Sequence, residues 1–350
     1  MVQFADIYNN RKVLVTGHTG FKGSWLSLWL QKMKAEVTGI SLKPETSPNH
    51  FDLLNLSIKN YLQNINDFNN VLDIFQKEKP EIVFHLAAQA LVRRSYKNPL
   101  ETWQNNIIGT ANIIEACRLT PSVRAIIIIT TDKCYENKEW VWGYRENDRL
   151  GGYDPYSASK ACAEIVAASY RQSFFNNNDN SPLLATVRAG NVIGGGDWAE
   201  DRLIPDLVRA VADKQTLEIR SPKATRPWQH VLEPLSGYLL LGQRLLEGDK
   251  DCATSFNFGP DANGNKTVEN VLNEAKKSWS HINWHQDNTP SPHEAGFLHL
   301  DCSKAKAMLG WRPLWNFECS IKKTAEWYQN YYENNKCISL SQLEEYSNEL

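Results

Sequence analysis

Between Lys12 and Val192 the chain repeats one pattern, a short β-branched run followed by an amphipathic stretch. The runs are KVLVTG, VTGIS, EIVFHLAA, the isoleucine segment 126–129 and LLATVRAGNV. The helical stretches begin near Phe21, precede Pro80, span about 106–117, and run from Pro155 to about Phe174. Strands that alternate strictly with helices are joined by right-handed crossovers, so they run parallel. Four consecutive isoleucines suit a strand covered on both faces. The expectation is an α/β chain built on a doubly wound parallel sheet.

Beyond Arg188 the alternation stops, and segments such as GGGDW and RPWQH bring Pro, Gly and Trp between short elements. With 350 residues the chain exceeds one compact domain. The expected division is a sheet domain over 1–187, to which a segment at about 229–256 returns, and a smaller mixed α/β lobe over most of 188–350. The patch NNNDNSP from Asn176 reads as an exposed turn, and the tail after Lys336 as a segment prone to fray.

In open sheets of this kind, chemistry collects at the carboxyl ends of the strands. After the first strand comes TGHTGFKG, with Gly17, Gly20 and Gly23 opening a helix. Glycines there let the backbone approach a pyrophosphate, and the helix N-terminus offers unpaired N–H donors. The pattern points to a dinucleotide. The second strand ends Ile40, Ser41, Leu42, Lys43, without the acid that usually holds the ribose hydroxyls of NAD. Lys43 alone is thin support for NADP.

The isoleucine strand ends in Thr130, Thr131, Asp132 and Lys133. An acid and a base at that place are either a solvated strand end or a catalytic pair. Further on, YSASK sets Tyr156 and Lys160 four residues apart, on one helix face. A Tyr acts as a base near neutrality only if its pKa falls by roughly three units, which a neighbouring cation and a positive nicotinamide ring can supply.

A net charge of −2 offers no basic footprint for nucleic acid, and no apolar run approaches the roughly 20 residues of a membrane span. The seven cysteines are scattered without metal-type spacing, so reduced thiols, no metal site and a cytoplasmic location are expected.

TGHTGFKG, HLAAQ, TTDKCY, YSASK and RAGNVIGGGDW, in this order, resemble an extended short-chain dehydrogenase/reductase with a Rossmann fold. More narrowly, the Asp-Lys pair after Thr131, GNVIGGGDW, RPWQHV and HEAGFLHLDCSKAKAMLGW resemble the CDP-glucose 4,6-dehydratase family. The resemblance implies bound NAD, CDP-D-glucose as substrate, and a homodimer built on helices around 106–117 and 156–170, with a dimer of dimers as an alternative. It assigns catalysis to Thr131, Asp132, Lys133, Tyr156 and Lys160. It assigns the cofactor to Gly17, Thr19, Gly20, Phe21, Lys22, Gly23, Asn64, Ile65, Leu86, Ala87 and Ala88, together with Tyr156 and Lys160. Gln89, Asn191, Arg202 and Arg226 fall to the substrate.

Alternatives stay open for several positions. Asn64 and Ile65 can form an ordinary turn, Gln89 a polar turn, Asn191 a loop hydrogen bond and Arg226 a surface ion pair. His85, inside an apolar strand, reads as a core histidine. Two rival functions also remain: a nucleotide-sugar 4-epimerase, which has no use for the Asp132/Lys133 pair, and a nucleotide-sensing binding protein without turnover.

Overall fold

The computed structural model describes residues 3–176, 180–219, 221–261, 264–286 and 297–350. Residues 177–179 of the expected Asn-rich turn, and His293, Glu294, Ala295 and Gly296 of the HEAGF motif, lie outside them.

The central sheet holds β1 (Lys12–Thr16), β2 (Glu36–Ser41), β3 (Lys59–Leu62), β4 (Ile82–His85), β5 (Ala125–Ile129), β6 (Leu183–Ala189) and β10 (Ser255–Phe258). Among the described residues these strands lie in the order β10-β6-β5-β4-β1-β2-β3, and every pair is parallel. The order reverses between β1 and β4, which opens a crevice at their carboxyl ends. The register pairs Thr16 with both Ile40 and His85, so three strand ends meet at one level.

Helices α1 (Phe21–Lys32), α2 (His50–Leu54), α3 (Phe68–Glu78), α4 (Val92–Lys97), α5 (Pro99–Trp103), α6 (Gly109–Arg118) and α7 (Pro155–Tyr170) fill the crossovers. Successive strand residues point to opposite faces. Ile126 and Ile128 accordingly join Leu14, Val83, Phe75 and Ile113 in one core, while Ile127 and Ile129 join Val13, Phe84, Trp25 and Leu235 in the other. The isoleucine strand is therefore buried on both faces, as its composition demands.

After β6 the chain crosses Gly190 into β7 (Asn191–Ile193), which pairs with β9 (Thr225–His230); β9 in turn pairs with β11 (Asn265–Thr267). A second small sheet joins β8 (Leu217–Ile219) to β12 (Trp284–Gln286). Helices α8 (Leu203–Ala212), α10 (Val268–Ser278) and α11 (Phe317–Asn334) belong to this part, whereas α9 (Leu232–Leu246) packs back on β5 and β6.

The tail does not fray. Helix α12 (Ser339–Glu349) buries Leu343 and Tyr346, and the Tyr346 hydroxyl donates to the Glu233 carboxylate at 2.8 Å. Its apolar stripe was too short to reveal this docking from sequence.

Candidate active site

The glycine loop is shaped by close approach. Gly17 has φ +74°, and a Cβ there would stand 2.7 Å from the Ala87 nitrogen; one on Gly23 would stand 2.1 Å from the Gly17 carbonyl oxygen. Only glycine fits such positions. Gly20 caps α1 without any side-chain hydrogen bond, so no side chain caps the first N–H groups of α1. An uncapped helix start behind a tight glycine loop suits a pyrophosphate.

Thr19 hydrogen-bonds the Ser41 hydroxyl at 2.7 Å and donates to the Leu42 carbonyl at 2.9 Å. The end of β2 thus consumes its own polar groups, with no carboxylate for a ribose. Phe21 and Lys22 open α1. Lys22 lines the cleft, where burial and the Arg202 and Lys160 cations push its pKa down to about 7. Asn64 forms an ordinary turn, its side-chain oxygen accepting from the Asn66 backbone N–H at 2.9 Å, and Ile65 is buried against Gly109.

At the end of β4 the backbone N–H groups of Leu86 and Ala87 donate to the Thr16 carbonyl and hydroxyl oxygens, both at 3.1 Å, with Ala88 half-buried beside them. His85 is a core histidine. Its nitrogens meet Thr16 Oγ1 at 2.7 Å and Thr110 Oγ1 at 3.0 Å, and burial, aided by Lys160, pushes its pKa down to about 3. Gln89 needs a correction. Its amide donates to the Leu91 carbonyl and the Thr102 hydroxyl and accepts from the Leu91 N–H at 2.6 Å. That side chain pins α4 and α5 in this structure and does not line the cleft.

The end of β5 differs. Thr131 donates to Asp132 Oδ1 at 2.9 Å, and Lys133 Nζ lies 3.9 Å from the same oxygen. Asp132 is 1% exposed, yet its Oδ2 has no hydrogen-bond partner. A buried carboxylate oxygen without a partner is costly, and the expense is tolerated where a site uses it. Gly190 closes in behind: a Cβ there would lie 2.6 Å from the Pro227 ring and 3.2 Å from Asp132 Oδ2.

Helix α7 begins at Asp154, whose carboxylate accepts from the Ser157 N–H at 2.9 Å, with Pro155 in its first turn. This cap aims Tyr156 and Lys160 at the β5 end. Burial pushes the Tyr156 hydroxyl up to about 12, opposed by its hydrogen bond with Thr131 and by the Arg202 cation. Lys160 donates to the Ile129 carbonyl at 3.1 Å, and burial pushes its ammonium down to about 8, with Glu164 opposing.

Thr131, Asp132, Lys133, Tyr156, Asn191, Arg202 and Arg226 all line one cleft of about 1050 Å³. Arg202 is held there by Asp197 of the GGGDW segment at 3.0 Å, while Arg226 donates to the Thr225 carbonyl. Gln89 is not among the lining residues. Sequence reasoning also missed Asp197 and the buried Glu164–Arg188 pair at 2.8 Å. The available signal for the latter was a charged residue inside the buried run LLATVRA.

The family described as GDP-mannose 4,6 dehydratase matches residues 14–324. The chain belongs to this family. It is 46% identical over 345 residues to a CDP-glucose 4,6-dehydratase of Salmonella typhimurium, covering 97% of this chain and 96% of the relative. In fold it is similar to an epimerase from Methanothermobacter thermautotrophicus (TM-score 0.82, 22% identity, 95% of this chain and 97% of the other). A dTDP-glucose 4,6-dehydratase from Bacillus anthracis, solved in complex with NAD, is also similar (TM-score 0.75, 19% identity, 92% and 98% covered).

Proposed function

We propose that the chain is a hydro-lyase that converts CDP-D-glucose to CDP-4-dehydro-6-deoxy-D-glucose with NAD used catalytically. The observation that carries this reading is the buried Asp132 carboxylate with an unpartnered oxygen, set beside Lys133 and within the cleft that Tyr156 lines. A 4-epimerase shares the Tyr/Lys pair but has nothing for an acid and base to do. The Salmonella relative supports the choice of substrate.

The residues that would hold NAD are those of the glycine loop, Gly17 to Gly23, with Asn64 and Ile65 flanking the adenine, and with Leu86, Ala87, Ala88, Tyr156 and Lys160. Bound NAD supplies the hydride acceptor for C4 of the sugar and the donor for C6. Burial holds the Tyr156 phenol protonated, so it would take the C4 hydroxyl proton only when the Lys160 cation and the positive ring of bound NAD lower its pKa, and Thr131 would hydrogen-bond the same oxygen. The resulting 4-ketone acidifies the C5 proton. Lys133, as the neutral amine, accepts that proton while Asp132, as the protonated acid, gives one to the departing C6 hydroxyl, which leaves as water, and the two groups end as an ion pair. Asn191, Arg202 and Arg226 serve the sugar diphosphate, for which an Arg fork is suited.

Residues 1–187, with about 229–256, form the cofactor half in this reading, and most of 188–350 the nucleotide-sugar half. Exposed apolar side chains on and around α5 to α7, among them Leu100, Ile108 and Ile165, support a homodimer through these helices. The product suits deoxysugar assembly for surface polysaccharides such as O-antigen lipopolysaccharide, made in the cytoplasm. Deuterium placed at C4 of CDP-glucose should appear at C6 of the product. Label lost to solvent, or a stoichiometric yield of reduced cofactor, would overturn the reading, and a product epimeric at C4 would favour the epimerase.

A further inference from the structure

Four residues after Lys160, on the same face of α7, stands Glu164. Its carboxylate is buried and fully engaged. Oε1 accepts from Thr130 Oγ1 at 2.5 Å; Oε2 accepts from Thr186 Oγ1 at 2.6 Å and from Arg188 Nη2 at 2.8 Å. Arg188 also donates to the Tyr135 hydroxyl at 2.7 Å and lies over that ring, 4.9 Å from its centroid. Glu164 and Arg188 are each 3% exposed.

A buried ion pair is weak support for stability, because desolvation consumes most of its attraction and apolar residues of similar volume serve as well. The neighbouring strand positions are filled by Ile127, Ile128, Leu184, Ala185 and Val187. Something other than packing therefore accounts for two opposite charges at this place. The pair sits directly under the site. Lys160 donates to the carbonyl of Ile129, and the next residue, Thr130, donates to Glu164.

We infer that the Glu164–Arg188 pair sets the charge state of Lys160, with Glu164 holding the ammonium in its protonated form and Arg188 limiting that pull. The other groups facing the amine do not supply this. Lys22 from the glycine loop is a second cation that Lys160 repels. His85 from β4 is kept neutral by burial and by Lys160 itself. On α7 itself, burial keeps the Tyr156 phenol protonated, and it does the same for the Cys134 thiol beyond β5. Glu164 is the group among them that carries a full negative charge, and burial notwithstanding, Arg188 and the two threonine hydroxyls hold its carboxyl below the usual range. Both Glu164 and Arg188 are positioning residues, acting through Lys160.

The inference rests on Lys160 serving Tyr156, but its test does not require any substrate. In the full-length protein the side-chain NMR signal of Lys160, identified by its loss in Lys160→Met, is followed against pH. In Glu164→Gln the Lys160 titration should move toward acid by about one pH unit or more; in Arg188→Gln it should move toward alkali by a smaller amount. Glu164→Asp should leave it nearly in place, and the Glu164→Gln/Arg188→Gln double variant should return it toward the parent value. The alkaline limb of the pH–rate profile should follow the same order. A purely structural role predicts that both single variants lose activity without opposite titration shifts. Titrations that stay put, or move in the same direction in both singles, overturn the inference. If Glu164→Gln does not fold, Arg188→Gln decides alone, and an unmoved Lys160 there is the overturning result. Failure to turn over CDP-glucose would leave the titration untouched, so the two readings fail separately.

Discussion

The carboxyl ends of β4 and β5 lie side by side, with His85 opposite Ile128, and they treat their polar groups in opposite ways. At the β4 end both His85 nitrogens, the Leu86 and Ala87 N–H groups and the Gln89 side chain all find protein partners. At the β5 end Asp132 keeps an unpaired oxygen in a buried place, and Lys133 stands at 3.9 Å with about a third of its side chain exposed. Two neighbouring strands of one sheet thus end, one with its polar groups paired, the other with a buried carboxyl oxygen unpaired. Polarity at a strand end does not by itself mark a site; at the end of β5 the unpaired Asp132 oxygen comes with a cleft that Lys133 and Tyr156 also line.

The strongest way to break this contrast is at Lys133. Lys133→Ala should still permit oxidation at C4 but lower dehydration, and solvent exchange at C5, by about 10²- to 10⁴-fold. Lys133→Arg refines the point, because Arg keeps the charge yet cannot be deprotonated. Product formation by the Arg variant at close to the parent rate would move Lys133 from base to electrostatic stabiliser.

The closed end of β4 should instead register in stability. His85 is neutral in the fold with its pKa depressed, so its contribution is complete above pH ~6.5 and is lost as pH falls toward about 3. On the order of a few kcal/mol is at stake. His85→Gln should flatten the loss of thermal stability across that window, and an unchanged slope would remove His85 as its source.

The end of β2 is closed as well, Thr19 and Ser41 satisfying each other where an acid would hold a ribose. A missing charge-assisted hydrogen bond is worth roughly 1.5–3 kcal/mol, about ten- to hundredfold in affinity. Purified protein should respond to added NAD. Full activity after exhaustive dialysis, with no such response, would contradict this.

The mildest test is Gln89→Ala. It should cost about 1–3 kcal/mol of stability through the unpaired Leu91 N–H, with little change in turnover per folded molecule. A large fall in kcat at unaltered Tm would return Gln89 to the substrate.

These outcomes mirror what the sequence could disclose. The sheet, the glycine loop and the Tyr156/Lys160 pair were legible because each is written in short spacings, a period of two or four or a glycine every third residue. Gln89 was not, since its fate depends on Thr102, and its backbone on Asn106, which α7 holds through Ser159, 53 residues further along. The same applies to Glu164 and Arg188, which are 24 residues apart and meet only through the crossover. The docking of α12 on Glu233 spans 113 residues and leaves no local trace.

Gly190, where the chain leaves the sheet for the smaller lobe, lies between the Pro227 ring and Asp132 so closely that an added Cβ would meet both. No side chain stands between them to absorb a displacement. A displacement of Pro227 in β9 would therefore be passed to Asp132 through the Gly190 backbone alone. Gly190→Ala should accordingly disturb β9 and Asp132 together, because its methyl group would stand 2.6 Å from the Pro227 ring and 3.2 Å from Asp132 Oδ2.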